Sequence, residues 1–271
     1  MARLGPIFHD WLADLKSEWN TVKTAVTTEV NPDISRGAGG YTTEIEVTAT
    51  DAITATLAEH AKEKDARICV LNFASYKTPG GGFVNGSLAQ EEAICYCSNL
   101  YPSLLKNWQW YENHKKTLNR GAYTDECIMS HDVTLLASEP GKLIPHDQRF
   151  LFDVITCAAP NWTSVIRYNA DDQTAFDMLF KAAFNRVQYL MQILAGYDYD
   201  TIILGAFGCG VFKNDPEAIA EAFYYALTEL LPGAFKRVVF AIPDQSSINF
   251  RTFAKQFAEG SSANGKTSVF H

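Results

Sequence analysis

The chain has 271 residues, 47% hydrophobic and 13% aromatic, and 31 acidic against 23 basic side chains give it a net charge of −8. Such a chain can bury a large core, which excludes a disordered, collagen-like or disulfide-stapled miniprotein. Its acidity argues against bulk electrostatic binding to nucleic acid or anionic lipid, so an anionic ligand must be held by local devices such as backbone amides.

Leu4, Ile7, Phe8, Trp11, Leu12, Leu15 and Trp19 recur at helical spacing and predict an amphipathic first helix. Asn31 to Gly40, with Pro32 and three glycines, reads as a loop. Tyr41, Thr43, Ile45 and Val47 alternate as a half-buried strand, and Thr50 is placed to cap a helix with Ile53, Leu57 and Ala61 inward. The apolar run 68–74 predicts a central strand. A glycine-rich loop follows, and Ser87-x-x-Gln90 fits a capping box that starts a helix at Leu88, running to about Lys106. Further strands are expected at 126–137 and 152–158, and Phe176, Leu179, Phe180, Ala183, Val187, Leu190 and Leu194 recur at helical spacing and predict another helix. The tail alternates as strand 201–206, helix 216–231, strand 237–242 and helix 247–258. This alternation implies an α/β/α domain with an at least partly parallel sheet covered on both faces. It spans 41–258, between an N-terminal helical extension (1–40) packed against it and a polar tail (259–271).

Two segments carry candidate chemistry. The first is Pro79-Gly80-Gly81-Gly82-Phe83-Val84-Asn85-Gly86-Ser87-Leu88-Ala89-Gln90-Glu91-Glu92, directly after the 68–74 strand. Consecutive glycines bring backbone close to a ligand and permit left-handed conformations. Successive helical positions do not face each other, so Glu91 and Glu92 should have different environments and roles. The residues alone leave a plainer alternative open: an ordinary strand–helix turn whose acidic first turn complements the helix dipole. The second segment is Gly205-Ala-Phe207-Gly208-Cys209-Gly210-Val211-Phe212, before Asp215 as N-cap and Pro216 at the first helical position. Its amides could point at a diphosphate. Lys213 stands where a dinucleotide fingerprint needs its third glycine, which disfavours a Rossmann cofactor site.

Other patterns carry less. Gly260-Ser-Ser-Ala-Asn-Gly265-Lys266-Thr267 spells a phosphate-binding loop but lacks the strand before and helix after. The histidines are scattered and no Cys-x-x-Cys occurs, so no metal site is expected. No Gly-x-Ser-x-Gly elbow marks a serine hydrolase. No uncharged stretch exceeds 13 residues, against the ~20 apolar residues of a membrane span. Acidic Asp10 and Asp14 come too early for a signal peptide. Six cysteines in mostly apolar runs suit buried thiols in a reducing compartment, and the chain reads as cytoplasmic.

Together, Gly80-Gly81-Gly82 with Gln90-Glu91-Glu92, and Gly208-Cys209-Gly210-Val211-Phe212, resemble the microbial-type poly(ADP-ribose) glycohydrolases. The likeness covers roughly residues 40–258, including the strand Val70–Ala74. It implies a three-layer macrodomain-like fold with a mixed central sheet, and hydrolysis of the ribose–ribose bond from the chain end of poly(ADP-ribose). By the same resemblance Glu92 is the general acid that then serves as base on water, and Glu91 orients the ribose hydroxyls. Gln90 braces the loop, Asn72 contacts the distal ribose, and Gly81 and Gly82 lie against it. Gly208, Gly210 and Val211 offer amides to the diphosphate, with Phe212 pressing on the terminal ribose. Asp51 stands loosely where many macrodomains keep an adenine-binding Asp. No cofactor or metal is implied. The implied partners are poly(ADP-ribose) or ADP-ribose and ADP-ribosylated proteins, with no membrane and the chain acting as a monomer.

Most glycosidases use two carboxylates ~5–10 Å apart across the scissile bond, a geometry that neighbours on one helix do not provide. A single acid/base is therefore expected, with the substrate's diphosphate near the developing positive charge. Burial and the adjacent carboxylate are expected to raise the Glu92 pKa against the helix N-terminus once substrate excludes water. A mono(ADP-ribosyl) hydrolase and a non-catalytic ADP-ribose reader remain the alternatives, although a reader has no use for Gln90-Glu91-Glu92.

Overall fold

A computed structural model describes residues 6–20, 27–30, 39–168 and 171–259. The elements run α1 (Pro6–Trp19), β1 (Thr27–Val30), β2 (Glu44–Thr48), α2 (Ala52–Lys62), β3 (Ile68–Phe73), α3 (Gln90–Cys97), α4 (Leu100–Lys106) and α5 (Trp108–Lys116). They continue with β4 (Cys127–Thr134), the small hairpin β5 (Ala137–Glu139) and β6 (Lys142–Leu143), β7 (Leu151–Cys157), α6 (Trp162–Tyr168) and α7 (Gln173–Ala195). The tail is β8 (Thr201–Leu204), α8 (Pro216–Tyr225) with a π-type turn through Leu230, β9 (Arg237–Ala241) and α9 (Ile248–Glu259).

The central sheet has the order β1-β4-β7-β3-β8-β9-β2. β7, β3, β8, β9 and β2 are parallel neighbours, and β4 joins antiparallel to both β7 and β1. Parallel strands must be covered on both faces, and the two-residue period of β3 shows how one run serves both. Cys69 and Leu71 pack with α7, α8 and α9, while Ile68 and Val70 face α2 to α5. Burying each such aliphatic side chain contributes roughly 1.5–3 kcal/mol. On the second face α1 adds Trp11 and Leu15. Trp19 donates its indole N–H to the Ser98 carbonyl (3.0 Å) and packs beside Tyr101 and Phe83.

The three-layer mixed fold agrees with the reading from sequence, and the local differences have physical causes. The segment read as a helical extension also supplies β1, a sheet strand. Asp51 rather than Thr50 caps α2, because its carboxylate accepts both the Ile53 and Thr54 amides (2.9 and 3.0 Å). The helix expected from Leu88 to Lys106 begins at Gln90 and breaks at Ser98, which is extended and bridges to Leu135. Pro102 explains the break: it sits in the first turn of α4, where its missing N–H costs nothing, and would disrupt a continuous helix. The phosphate-loop lookalike at 260–267, most of the polar tail and most of the 31–40 loop lie outside the described residues. Among the described residues no helix is long and apolar enough to cross a membrane. None of the six cysteines is in a disulfide, and all six are buried.

Candidate active site

In open parallel sheets, ligands collect beyond the carboxyl ends of the strands. A cleft of about 510 Å³ lies there. Asp51 lines it after β2, Phe73 and Ala74 at the end of β3, Ala159 after β7, Gly208 to Phe212 after β8, and Ile242 to Asp244 after β9. Leu88, Ala89, Gln90 and Ala93 close another side, so the start of α3 and the second glycine loop share one cleft. Among the described residues no group of His, Cys, Asp and Glu could hold a metal ion.

The start of α3 is tied to the end of β3 by its own side chains. β8 pairs with β3 only as far as Val70, which leaves the later β3 backbone uncovered on that side. Gln90 fills the gap: it donates to the Leu71 carbonyl (2.6 Å) and accepts from the Phe73 amide (2.8 Å). Glu91 turns to the opposite side, with one oxygen accepting from the Ser75 amide (2.7 Å) and the other 3.5 Å from the Asn72 amide nitrogen. Glu92 closes the glycine loop, accepting from the Gly82 amide at 2.7 Å and, as the half of a capping box, from the Ala89 amide at 3.2 Å. Ser87 is not the cap; it lies against Gly82.

The glycines serve this closure. Gly81 has φ +58, and a Cβ there would sit 2.6 Å from a Glu92 carboxylate oxygen and 3.0 Å from one of Glu91. A Cβ on Gly82 would sit 2.2 Å from the Ser87 hydroxyl. These two positions, expected to lie against a distal ribose, are thus bare first because the carboxylates and Ser87 occupy the space. Asn72, also expected against that ribose, is fully enclosed and donates to Thr156 (3.2 Å) while facing Glu91.

The second loop is shaped differently. Gly208 has φ +73, and a Cβ there would collide with Asn214 at 2.4 Å and Ala159 at 2.5 Å. Asn214 pins the turn, donating from its side chain to the Pro160 and Gly208 carbonyls. Gly210 instead has open space around it, and Val211 is 77% exposed on the rim. Among the described residues the amides of Gly208, Gly210, Val211 and Phe212 donate to no protein acceptor. Unspent donors converging on a cleft suit an anion in an acidic protein. Asp51 lines the same cleft, its carboxylate engaged as a helix cap.

Both carboxyls are buried. Glu91 is 3% exposed and Glu92 7%. Burial first, with the charge of Glu92 adding to it against the Ser75 hydrogen bond, pushes Glu91 up to about 8. The sequence reading concerns Glu92 with substrate bound, a different group and a different state. A proton that the folded state holds more tightly stabilises it fully below the ordinary value of 4.5, and that contribution is lost as pH rises through about 8. Between about pH 5 and about pH 9, wild type is expected to lose on the order of a few kcal/mol that Glu91→Gln does not lose. Urea denaturation of both proteins across that range checks this, and parallel stability curves would contradict it.

Several groups at the site gave no sign in the sequence. Ser75 acts through its amide, and Thr156 and Ala159 reach the site only because β7 lies beside β3. Pro243 and Asp244 line the cleft only as the turn after β9.

Fold and site together define a macrodomain-like protein whose cleft is lined by the 208–212 glycine loop and by the start of α3 at Gln90; Glu91, Glu92, Gly81, Gly82 and Asn72 lie behind that lining rather than in it. Residues 13–138 match the family described as microbial-type PARG, catalytic domain, where PARG is poly(ADP-ribose) glycohydrolase. That span holds the triple glycine and Gln90-Glu91-Glu92; the second loop lies beyond it, in the region of structural likeness. The crystal structure of PARG from Deinococcus radiodurans in complex with ADP-ribose is 27% identical with TM-score 0.72, covering 95% of this chain and 99% of that one. Another crystal form of that complex gives 28% identity, again with TM-score 0.72. PARG from Thermomonospora curvata is 25% identical with TM-score 0.76, covering 93% of this chain and 98% of that one. No curated protein matches the chain. In sequence and in fold the chain is therefore like the microbial-type PARGs, as its two glycine loops indicate.

Proposed function

We propose that the chain is a poly(ADP-ribose) glycohydrolase that releases ADP-ribose from the polymer end. The observation that carries this is that the start of α3, at Leu88 to Gln90, and the 208–212 amide loop line one cleft, with Glu91 and Glu92 the next residues of that helix. The likeness to a PARG crystallised with ADP-ribose supports the ligand. In this reading the Gly208, Gly210 and Val211 amides hold the diphosphate and Phe212 presses on the terminal ribose. Glu92 protonates the bridging ribose oxygen as its bond to the anomeric carbon breaks. The carboxylate so formed takes a proton from the water that attacks that carbon. The diphosphate, held nearby, offsets the positive charge developing on the sugar.

Glu91, neutral near pH 7 because burial raises it, hydrogen-bonds a ribose hydroxyl as an uncharged acid. Asn72 positions Glu91, and Gln90 holds α3 against β3. Both loops come from one chain, which supports action as a monomer, and ADP-ribosylated proteins would be the carriers of its substrate. The test offers the wild-type protein poly(ADP-ribose) and, separately, a singly modified acceptor protein. ADP-ribose is expected from the polymer, with the protein-linked unit left in place. Release only from the singly modified acceptor would make it a mono(ADP-ribosyl) hydrolase, and tight ADP-ribose binding without release would make it a reader.

A further inference from the structure

A second cleft, about 490 Å³, lies on the far side of the Tyr76–Phe212 wall and takes no part in the reaction above. Tyr76 lines it, with Tyr123, Gly121, Asn161, Arg120 and Arg167. The two clefts are linked through Tyr76. Ser75, whose amide holds Glu91, precedes Tyr76 in the chain, and the Tyr76 ring lies 6.4 Å from that of Phe212, which lines the first cleft.

The wall is rigid on the new side. Tyr76 stacks on Tyr123 at 4.3 Å between centroids. Asn119, Arg120 and Tyr123 all have positive φ (40, 51 and 57°), an uncommon conformation for side-chain-bearing residues that persists only where surroundings enforce it. Here the start of α6 enforces it. The Asn161 amide donates to the Gly121 carbonyl (2.8 Å), the Ser164 hydroxyl donates to the Arg120 carbonyl (3.0 Å), and a Cβ on Gly121 would sit 2.3 Å from that hydroxyl. The result presents two guanidinium groups beside an aromatic wall in a chain of net charge −8. Arg120 is only loosely paired with Asp172, at 3.4 Å and 63% side-chain exposure, and Arg167 is exposed.

We infer that this second cleft is a leaving-group subsite, which takes the next ADP-ribose unit of the polymer with its diphosphate on Arg120 and Arg167 and its base or sugar against Tyr76. The inference rests on the proposed function, since a unit on this side exists only if the substrate continues past the scissile bond. No bond forms or breaks in the cleft; it holds the portion that departs with the proton from Glu92. Guanidinium groups suit this task because they pair with phosphate oxygens in a fixed fork.

Affinity measured in the inactive Glu92→Gln background separates this from catalysis. Poly(ADP-ribose) is expected to bind about tenfold more tightly than free ADP-ribose, and Arg167→Glu is expected to remove that advantage while leaving ADP-ribose affinity within about twofold. In the otherwise wild-type enzyme, Arg167→Glu should raise KM for polymer with little change in kcat. Polymer affinity and KM both unmoved by Arg167→Glu, and by Arg167→Ala, would overturn the subsite. A wild-type protein that releases nothing from polymer would instead overturn the proposed function, whatever the arginine variants bind.

Discussion

Glu92→Gln is expected to lower the release of ADP-ribose by about 10²–10⁴-fold and to leave affinity for ADP-ribose within a few-fold. The carboxylate accepts with both oxygens, from the Gly82 amide at 2.7 Å and the Ala89 amide at 3.2 Å. A glutamine offers one acceptor, so it keeps the shorter bond to the glycine loop and gives up the longer one at the helix cap. That loss is worth about 1 kcal/mol, too little to unfold a domain of this size. What the amide cannot do is donate a proton to a departing ribose oxygen and recover it from water. Single-turnover rates on polymer, alongside calorimetry with ADP-ribose, measure the two quantities separately. An unchanged rate would remove Glu92 from the chemistry; lost binding with a proportionate rate would make it a structural strut.

The parts of this site that were legible in the sequence are those written in backbone chemistry. Three consecutive glycines soon after an apolar run allow the left-handed backbone that a tight strand–helix turn needs, and Gly80 and Gly81 do take positive φ. Asp215 and Pro216 likewise announced the start of α8, and the Asp215 carboxylate accepts from the Glu217 amide as a cap does. Partners brought together by topology were not legible. Asn72 sits on the strand expected for it, yet that it faces Glu91 and Thr156 depends on which neighbour β3 has and on the two-residue alternation that turns positions 68, 70 and 72 to one face. The difference between Glu91 and Glu92 is of the same kind. Both stand in the first turn of α3, and only the packing shows that Glu91 turns to Ser75 and Asn72 while Glu92 turns to Gly82 and Ala89. The break at Ser98 was hidden because Ile94, Cys97, Leu100 and Leu104 are all buried on the same face of the sheet, so the apolar pattern runs on through a break in the backbone.

Gly81→Ala is expected to lower kcat by about 10²-fold or more with a small change in ADP-ribose affinity, a loss that 1 Å of misplacement at a reacting group can produce. Two effects act together. The alanine must hold φ +58, a left-handed conformation that costs roughly 1–2 kcal/mol without a glycine. Its Cβ also meets Glu92 at 2.6 Å, closer than real contacts allow, and Glu91 at 3.0 Å, tighter than most. Neither neighbour moves freely, because Glu92 is fastened to the Gly82 and Ala89 amides and Glu91 to Ser75. The carboxylates must therefore shift or the loop must open, and either takes the acid away from the sugar. A double-mutant cycle identifies the route. If Gly81 acts through Glu92, adding Gly81→Ala to Glu92→Gln costs almost nothing further in kcat, since interacting positions are not additive. If the two losses multiply, the glycine serves the ligand directly, as the sequence reading first had it. Thermal denaturation of each single variant shows whether the folded population accounts for the change.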